Sequence, residues 1–171
     1  MKNHTIKVTA TCTFQTDKGI CGKQTTLTHP YCNYHTKIAT GFYVAKSGIK
    51  GAGYGLYTAR DIKKGTTLME YTGEHISVKE FQERYGDDGF GSYAMTLNKS
   101  TVIDARETSA GIARYICDFF NSGKTANVKF ESTGRRVEIT AIKNIKAGEE
   151  LLVNYGRDMR RALGFYKKKK S

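Results

Sequence analysis

The sequence predicts a mostly β protein with short helices and a small metal-binding segment at its N-terminal end. From Gly41 onward, short runs rich in Val, Ile, Tyr and Thr are separated by glycine-containing turns, a pattern typical of many short strands. Before that point, three of the four cysteines lie in a segment without a clear hydrophobic period. A chain of 171 residues with 39% hydrophobic composition is long enough for one domain and a small appendage.

Residues 1–40 are predicted to form a segment resembling a zinc knuckle. Cys12, Cys21, Cys32 and His35 follow the spacing C-x8-C-x10-C-x2-H, in which the last two can reach one ion from a single turn. Three thiolates and an imidazole suit tetrahedral zinc, and bound metal would supply folding energy that a segment with few core residues lacks. Free thiols or a disulfide are the alternatives, although intracellular proteins seldom keep disulfides. Because all four ligands come from the protein, we expect a structural ion.

The later elements follow from β-type runs and from one capping signal. Ser77-Val78-Lys79-Glu80 is a capping box and should begin a helix that runs to Tyr85. A last helix is predicted over residues 157–166, followed by a basic tail. Two similar turn sequences begin at Asp61 and Asn144, and each precedes a strand. Strands are expected at residues 42–45, 56–58, 67–71, 93–97, 101–103, 128–130, 136–141 and 150–153.

The positive charge of the chain is concentrated at its two ends. The formal net charge is +12, and residues 1–40 hold five lysines against one aspartate, whereas residues 157–171 hold seven basic residues against one acidic residue. Such ends either contact an anionic partner such as nucleic acid or only keep the protein soluble. No run approaches the ~18 apolar residues of a membrane span, and the N-terminus lacks the apolar core of a signal peptide. We therefore expect an intracellular protein without membrane contact.

Four short motifs follow one another through the middle of the chain. They are Gly53-Tyr54-Gly55-Leu56-Tyr57, Tyr71-Thr72-Gly73, Ala113-Arg114-Tyr115-Ile116 and Gly148-Glu149-Glu150-Leu151-Leu152-Val153-Asn154-Tyr155-Gly156. In this order and at these separations they resemble the signature of the SET-domain protein lysine methyltransferases. The resemblance implies a SET domain at residues 41–156, built from several small sheets with a knot-like crossing near the C-terminus. Residues 157–171 would then be a C-terminal helix and basic tail.

The resemblance also implies methyl transfer from S-adenosylmethionine to a lysine, with a histone tail or nucleosome as substrate and a nuclear location. This transfer is an in-line displacement that depends on positioning and needs no metal. Gly53 and Gly55 would let the cofactor approach the backbone, and Tyr54 would stack on it. The family places the Tyr155 hydroxyl at the transfer point and Tyr93 on the channel wall, where aromatic rings suit a lysine stem. From the residue pattern alone, Tyr93 is equally a core strand tyrosine.

The chain departs from the family pattern directly after Arg114-Tyr115-Ile116 of the third motif. The resemblance implies cofactor contacts at Arg114, Cys117, Asp118 and Tyr155, but the family has Asn and His where this chain has Cys117 and Asp118. A thiol cannot reproduce an amide contact, whereas backbone contacts would survive. Cys117 also fits a small buried hydrophobic residue. The alternative function is a catalytically inactive SET-fold module that docks on chromatin or nucleic acid.

Val153 lies two places before Tyr155, at a position that helps set the number of methyl groups in the family. A tyrosine there favours monomethylation, so the apolar Val153 implies a di- or trimethyl product. The competing interpretation is a strand residue that faces the core.

Overall fold

The computed structural model describes residues 10–25, 30–86, 93–106 and 111–162. This part of the protein is mostly β with short helices, which confirms the predicted fold class. The strands form several small sheets instead of one large sheet. No helix within the described residues is long and apolar enough to span a bilayer.

Two short strand pairs and one helix make up the N-terminal segment. Its elements are β1 (Ala10–Thr11), β2 (Gln15–Thr16), β3 (Gly19–Ile20), β4 (Gln24–Thr25) and α1 (Asn33–Thr40). β1 pairs with β4, and β2 pairs with β3, both antiparallel. Helix α1 was not predicted, because no side chain caps its N-terminus and its apolar residues show no clear period. It is held instead by Asn33, whose amide donates to the Val44 carbonyl and accepts from the Val44 N–H, both at 2.8 Å.

The remaining described elements belong to the predicted β-rich part. They are β5 (Phe42–Lys46), β6 (Tyr54–Thr58), β7 (Thr67–Glu70), β8 (Glu74–Ser77), α2 (Val78–Tyr85), β9 (Ala94–Thr96), β10 (Thr101–Asp104), a 3₁₀ helix (Ile112–Tyr115), β11 (Cys117–Asp118), β12 (Val128–Ser132), β13 (Val137–Ala141), β14 (Leu152–Val153) and α3 (Gly156–Ala162). β5 pairs with β6, β10 lies between β8 and β9, and β13 lies between β12 and β7. β11 and β14 pair in parallel, which places the residues that directly follow the third motif beside the fourth.

Each predicted strand overlaps an observed one, with changed boundaries. β6 begins at Tyr54, two residues before its predicted start, and β14 begins at Leu152, two residues after its predicted start. The helix start is confirmed, since the Ser77 hydroxyl accepts the Glu80 N–H at 3.0 Å. β8, β11 and the 3₁₀ helix were missed because short segments carry little periodicity. The predicted part of the last helix beyond residue 162 lies outside the described residues.

The hydrophobic core lies where the small sheets meet. In β13, Val137, Ile139 and Ala141 are buried and alternate with partly exposed residues, as the two-residue period of a strand requires. Leu56 and Ile103 are also fully buried, on two other sheets. Burying one such aliphatic side chain contributes about 1.5–3 kcal/mol. The core therefore depends on contacts between sheets that no single strand pair supplies.

The two similar turns that begin at Asp61 and Asn144 pair with each other. Ile62 and Ile145 exchange two backbone hydrogen bonds of 2.8 and 2.9 Å. The side chains of Asp61 and Asn144 each accept a backbone N–H of the opposite turn, both at 2.9 Å. This reciprocal pairing connects the turn after the first motif to the turn that opens the last.

Candidate active site and metal centre

The two glycines of the first motif have different surroundings. Gly53 has a φ of 78° and open space where a side chain would lie. Gly55 instead faces the Glu150 carboxylate, which a Cβ at this position would overlap. This buried carboxylate accepts the Gly48 N–H at 3.1 Å and the Ser47 hydroxyl. Gly55 was predicted to allow cofactor approach; its missing side chain makes room for the glutamate that anchors the loop before β6.

Tyr54 and Cys117 meet at the edge of this loop. The Tyr54 side chain is largely exposed, and its backbone carbonyl accepts a hydrogen bond from the Cys117 thiol at 3.3 Å. Burial raises the pKa of Cys117 to about 11, so the thiol is protonated at neutral pH and can donate. Cys117 is thus a buried, hydrogen-bonded thiol, and the Tyr54 ring is left free to stack on a ligand.

Arg114 supports Tyr93 from inside the fold. Its guanidinium donates to the Ala105 and Arg106 carbonyls at 2.7 and 2.8 Å and lies 3.6 Å from the centre of the Tyr93 ring. The Tyr71 hydroxyl donates to the Tyr93 carbonyl at 2.9 Å. Arg114 was predicted to contact the cofactor; its side chain is buried and engaged with the protein, so that contact would fall to its backbone. Tyr71 was visible as part of the second motif and was not assigned to the site.

Tyr155 is held at both its backbone and its hydroxyl. Its N–H donates to the Asp118 carboxylate at 2.6 Å, and its hydroxyl donates to the Ile116 carbonyl at 2.8 Å. Burial raises the pKa of Tyr155 well above its ordinary value, and the nearby Cys117 and Tyr71 raise it further. The phenol therefore stays protonated, and its oxygen keeps lone pairs that can accept from an incoming amine.

Asn127 and Arg160 hold the last motif in place, and neither was predicted as a site residue. The Asn127 amide donates to the Glu150 carbonyl and accepts from the Leu152 N–H, both at 2.8 Å. Arg160 donates to the Asp118 carboxylate. The cofactor contact that was predicted at Asp118 would therefore fall to its backbone. Asn127 has no local sequence signal, because its partners lie more than 20 residues away in the chain.

Val153 is buried in the core cluster that Tyr155 borders. It pairs with Asp118 across β11 and β14, and its carbonyl accepts the Phe119 N–H at 3.3 Å. The position is therefore both a core strand position, as the competing interpretation states, and a close neighbour of the candidate catalytic tyrosine.

The structure brings together all four predicted metal ligands. The ligand atoms of Cys12, Cys21, Cys32 and His35 lie within 4.8 Å of one another, and the thiols are not in disulfides. The His35 Nδ1 is 3.4 Å from the Cys12 sulfur and 3.6 Å from the Cys32 sulfur. Sulfur and nitrogen bound tetrahedrally to zinc at ~2.3 and ~2.0 Å are separated by about 3.5 Å. The four residues thus fit one zinc ion, and Phe14 stacks on the imidazole at 4.3 Å.

The electrostatics of the cluster also suit a metal. Burial alone would raise the pKa of Cys12, but backbone N–H groups of Cys32 and Phe14 and the side chain of His35 lower it to about 6. A thiolate is the form that binds metal. Helix α1 contributes by placing Cys32 at its N-terminal boundary and His35 in its first turn.

The small sheets, the parallel contact of β11 with β14 and the tyrosines around it define a known class of protein. The SET domain family matches residues 53–156. The chain belongs to the SET domain family.

Several curated proteins of this family are similar to the chain. It is 35% identical over 126 residues to "Histone-lysine N-methyltransferase EZH2" of Chaetomium thermophilum, which covers 69% of this chain and 8% of that protein. It is 38% identical over 120 residues to "Histone-lysine N-methyltransferase trr" of Drosophila melanogaster, covering 68% of this chain and 5% of that protein. A relative from Debaryomyces hansenii, "Histone-lysine N-methyltransferase, H3 lysine-4 specific", is 35% identical over 127 residues, covering 72% of this chain and 11% of that protein. The chain therefore spans 5% to 11% of the length of these relatives.

Solved structures agree with this assignment. The chain is similar to ctPRC2 in an autoinhibited conformation bound to S-adenosylmethionine, with a TM-score of 0.58 and 31% identity over 74% of this chain and 17% of that one. It is also similar to the Chaetomium thermophilum polycomb repressive complex 2, with a TM-score of 0.58 and 36% identity, over 68% of this chain and 15% of that one.

Proposed function

We propose that this chain is a protein lysine N-methyltransferase that uses S-adenosylmethionine and acts on histone lysine in the nucleus. The family and the names of the relatives support this proposal. The observation that supports it most is the Tyr155 phenol, which is protonated, hydrogen-bonded to the Ile116 carbonyl and close to Tyr71 and Tyr93.

The residues at the first motif fit such a cosubstrate. The space beside Gly53 is open, and the Tyr54 side chain is 65% exposed, so its ring face is available for stacking. The Tyr54 carbonyl is fixed by a hydrogen bond from the Cys117 thiol, which is a weak donor. When bound, S-adenosylmethionine would supply an electrophilic methyl group on a sulfonium.

The protein would contribute orientation and a dry environment. Free lysine has a pKa of about 10.4, so the amine must lose its proton before it can attack. Burial among aromatic side chains disfavours the ammonium form. The Tyr155 oxygen accepts from the neutral amine and fixes its direction, and the Arg114 guanidinium holds the Tyr93 ring in position.

Tyr155→Phe tests this function because it removes only the hydroxyl. We expect kcat for transfer of tritiated methyl to recombinant histone H3 to fall about 100-fold or more, with little change in S-adenosylmethionine affinity. Tyr43→Phe is the matched control, since it keeps the ring that stacks on Tyr57 at 5.5 Å. Full activity of Tyr155→Phe would exclude the assigned role, and a general loss of stability would show a structural role instead.

Titration calorimetry with S-adenosylmethionine separates this function from the inactive docking module. Absence of binding by the folded chain would favour the docking module, because Cys117 and Asp118 replace the family's Asn and His. Nucleic acid contact through the basic ends is a further proposal. Deleting residues 167–171 should weaken DNA binding at low salt and change it little at high salt. Equal binding by both forms at low salt would show that the tail only solubilises.

A further inference from the structure

The Asp118 carboxylate is the most densely bonded buried charge beside the candidate active site. It accepts the backbone N–H groups of Phe120 and Tyr155, each at 2.6 Å. The Arg160 Nε lies 3.1 and 3.0 Å from its two oxygens, and Nη2 makes an ion-pair contact with Oδ1 at 3.0 Å. The Asp118 side chain is 1% exposed. Its bonding capacity is thus used within the chain.

Arg160 is also largely enclosed, with 11% of its side chain exposed. It lies on helix α3, is buried, and its guanidinium is 4.6 Å from the centre of the Phe120 ring and 5.0 Å from that of Phe119. Both aromatic residues directly follow Asp118 in the chain, so one guanidinium contacts three consecutive residues. Loss of one partner from a buried ion pair leaves an uncompensated charge, which the surrounding structure must move to solvate.

The position of Tyr155 depends on this cluster. The groups that accept from its N–H and its hydroxyl, Asp118 and the Ile116 carbonyl, both belong to the short segment 116–118. Gly156 follows with a φ of 80°, so the chain turns sharply there into α3, which carries Arg160 back to Asp118. The contacts around Tyr155 therefore form a closed loop. Asp118 accepts the Tyr155 N–H, helix α3 follows Tyr155 in the chain, and Arg160 on that helix donates back to Asp118.

We propose that Asp118 and Arg160 are a positioning pair that fixes the Tyr155 hydroxyl for methyl transfer. Helix α3 then contributes to catalysis through Arg160. The inference rests on the proposed function. The contacts of the pair go to the Tyr155 backbone and to each other, whereas the Tyr155 hydroxyl donates to the Ile116 carbonyl. Asp118 holds the backbone of Tyr155, and Arg160 compensates the buried charge and fixes the orientation of the carboxylate.

The test compares Arg160→Met with Arg160→Lys and with the control Arg161→Met in the full chain. Arg161 lies on the same helix, is exposed, and pairs only distantly with Asp158 at 3.8 Å. Methyl transfer to recombinant histone H3, S-adenosylmethionine affinity and the thermal midpoint are measured together. The ¹³Cζ-tyrosine NMR signal of Tyr155, assigned by its loss in Tyr155→Phe, reports the hydroxyl environment without requiring activity.

We expect Arg160→Met to shift the Tyr155 signal and to lower kcat roughly 10- to 100-fold, with KM and cofactor affinity nearly unchanged. Arg160→Lys keeps the charge but loses the planar fork, so it should restore part of kcat. Arg161→Met should leave the signal and kcat as they are. If Arg160→Met does not fold, Asp118→Asn, which keeps the shape and one acceptor oxygen, takes its place with the same expected shift.

An unmoved Tyr155 signal with unchanged kcat would overturn the proposal. A lower thermal midpoint with normal kcat per folded molecule would overturn it too, since the pair would then be only structural. If the unmutated protein transfers no methyl group, the proposed function fails by itself. The NMR comparison then still decides whether Arg160 positions Tyr155.

Discussion

The substitution Gly55→Ala should destabilise the protein strongly, although it adds one methyl group in a strand. A Cβ at Gly55 would overlap the nearer oxygen of the Glu150 carboxylate and lie 3.0 Å from its carbon, so the carboxylate must move. It would then lose the Gly48 N–H and the Ser47 hydroxyl. Hydrogen bonds to charged groups contribute about 1.5–3 kcal/mol each, which predicts a loss of about 3–6 kcal/mol. The Lys124 ion pair adds little because the lysine is half exposed.

Urea unfolding followed by circular dichroism measures this loss. The control is Gly53→Ala, which meets open space and has only the strain of a left-handed backbone, about 1–2 kcal/mol. In a Glu150→Ala background the overlap disappears, so we expect Gly55→Ala to cost less than about 1 kcal/mol there. The reasoning is refuted if Gly55→Ala costs no more than Gly53→Ala, or if its cost is the same in both backgrounds.

Three further predictions concern the metal, the product and the buried thiol. Elemental analysis should find one zinc per chain, and chelation should expose the segment around Cys12 to proteolysis; less than about half an equivalent, with no effect of chelator, would exclude the site. Val153→Tyr should shift products toward monomethyl lysine in mass spectrometry and cost about 1–3 kcal/mol by overpacking a buried position; monomethyl accumulation by the unmutated protein would contradict this. Because burial raises the pKa of Cys117 to about 11, iodoacetamide at pH 8 should leave it unmodified until the protein is unfolded, as peptide mass spectrometry can show.

The sequence alone predicted those features whose physical cause lies within a few neighbouring residues, and those that an ordered set of motifs identifies. Ser77 begins α2 because its hydroxyl accepts an N–H three residues along, a contact that the capping box predicts. The four metal ligands could be named because thiolate and imidazole chemistry restricts the residue types. The order of the four motifs was enough to identify the family and the mostly β fold.

The partners of the buried polar groups depended on the packing of the sheets. Glu150 meets Ser47 and Gly48 across more than 100 residues of chain, and Arg160 meets Asp118 across 42. No periodicity links such pairs, because their meeting depends on how separate sheets pack and on where β14 lies beside β11. The residue types therefore indicated what chemistry the chain can perform. Only the packed structure decided that Tyr54 is left exposed and that Asp118 and the Ile116 carbonyl hold Tyr155 in place.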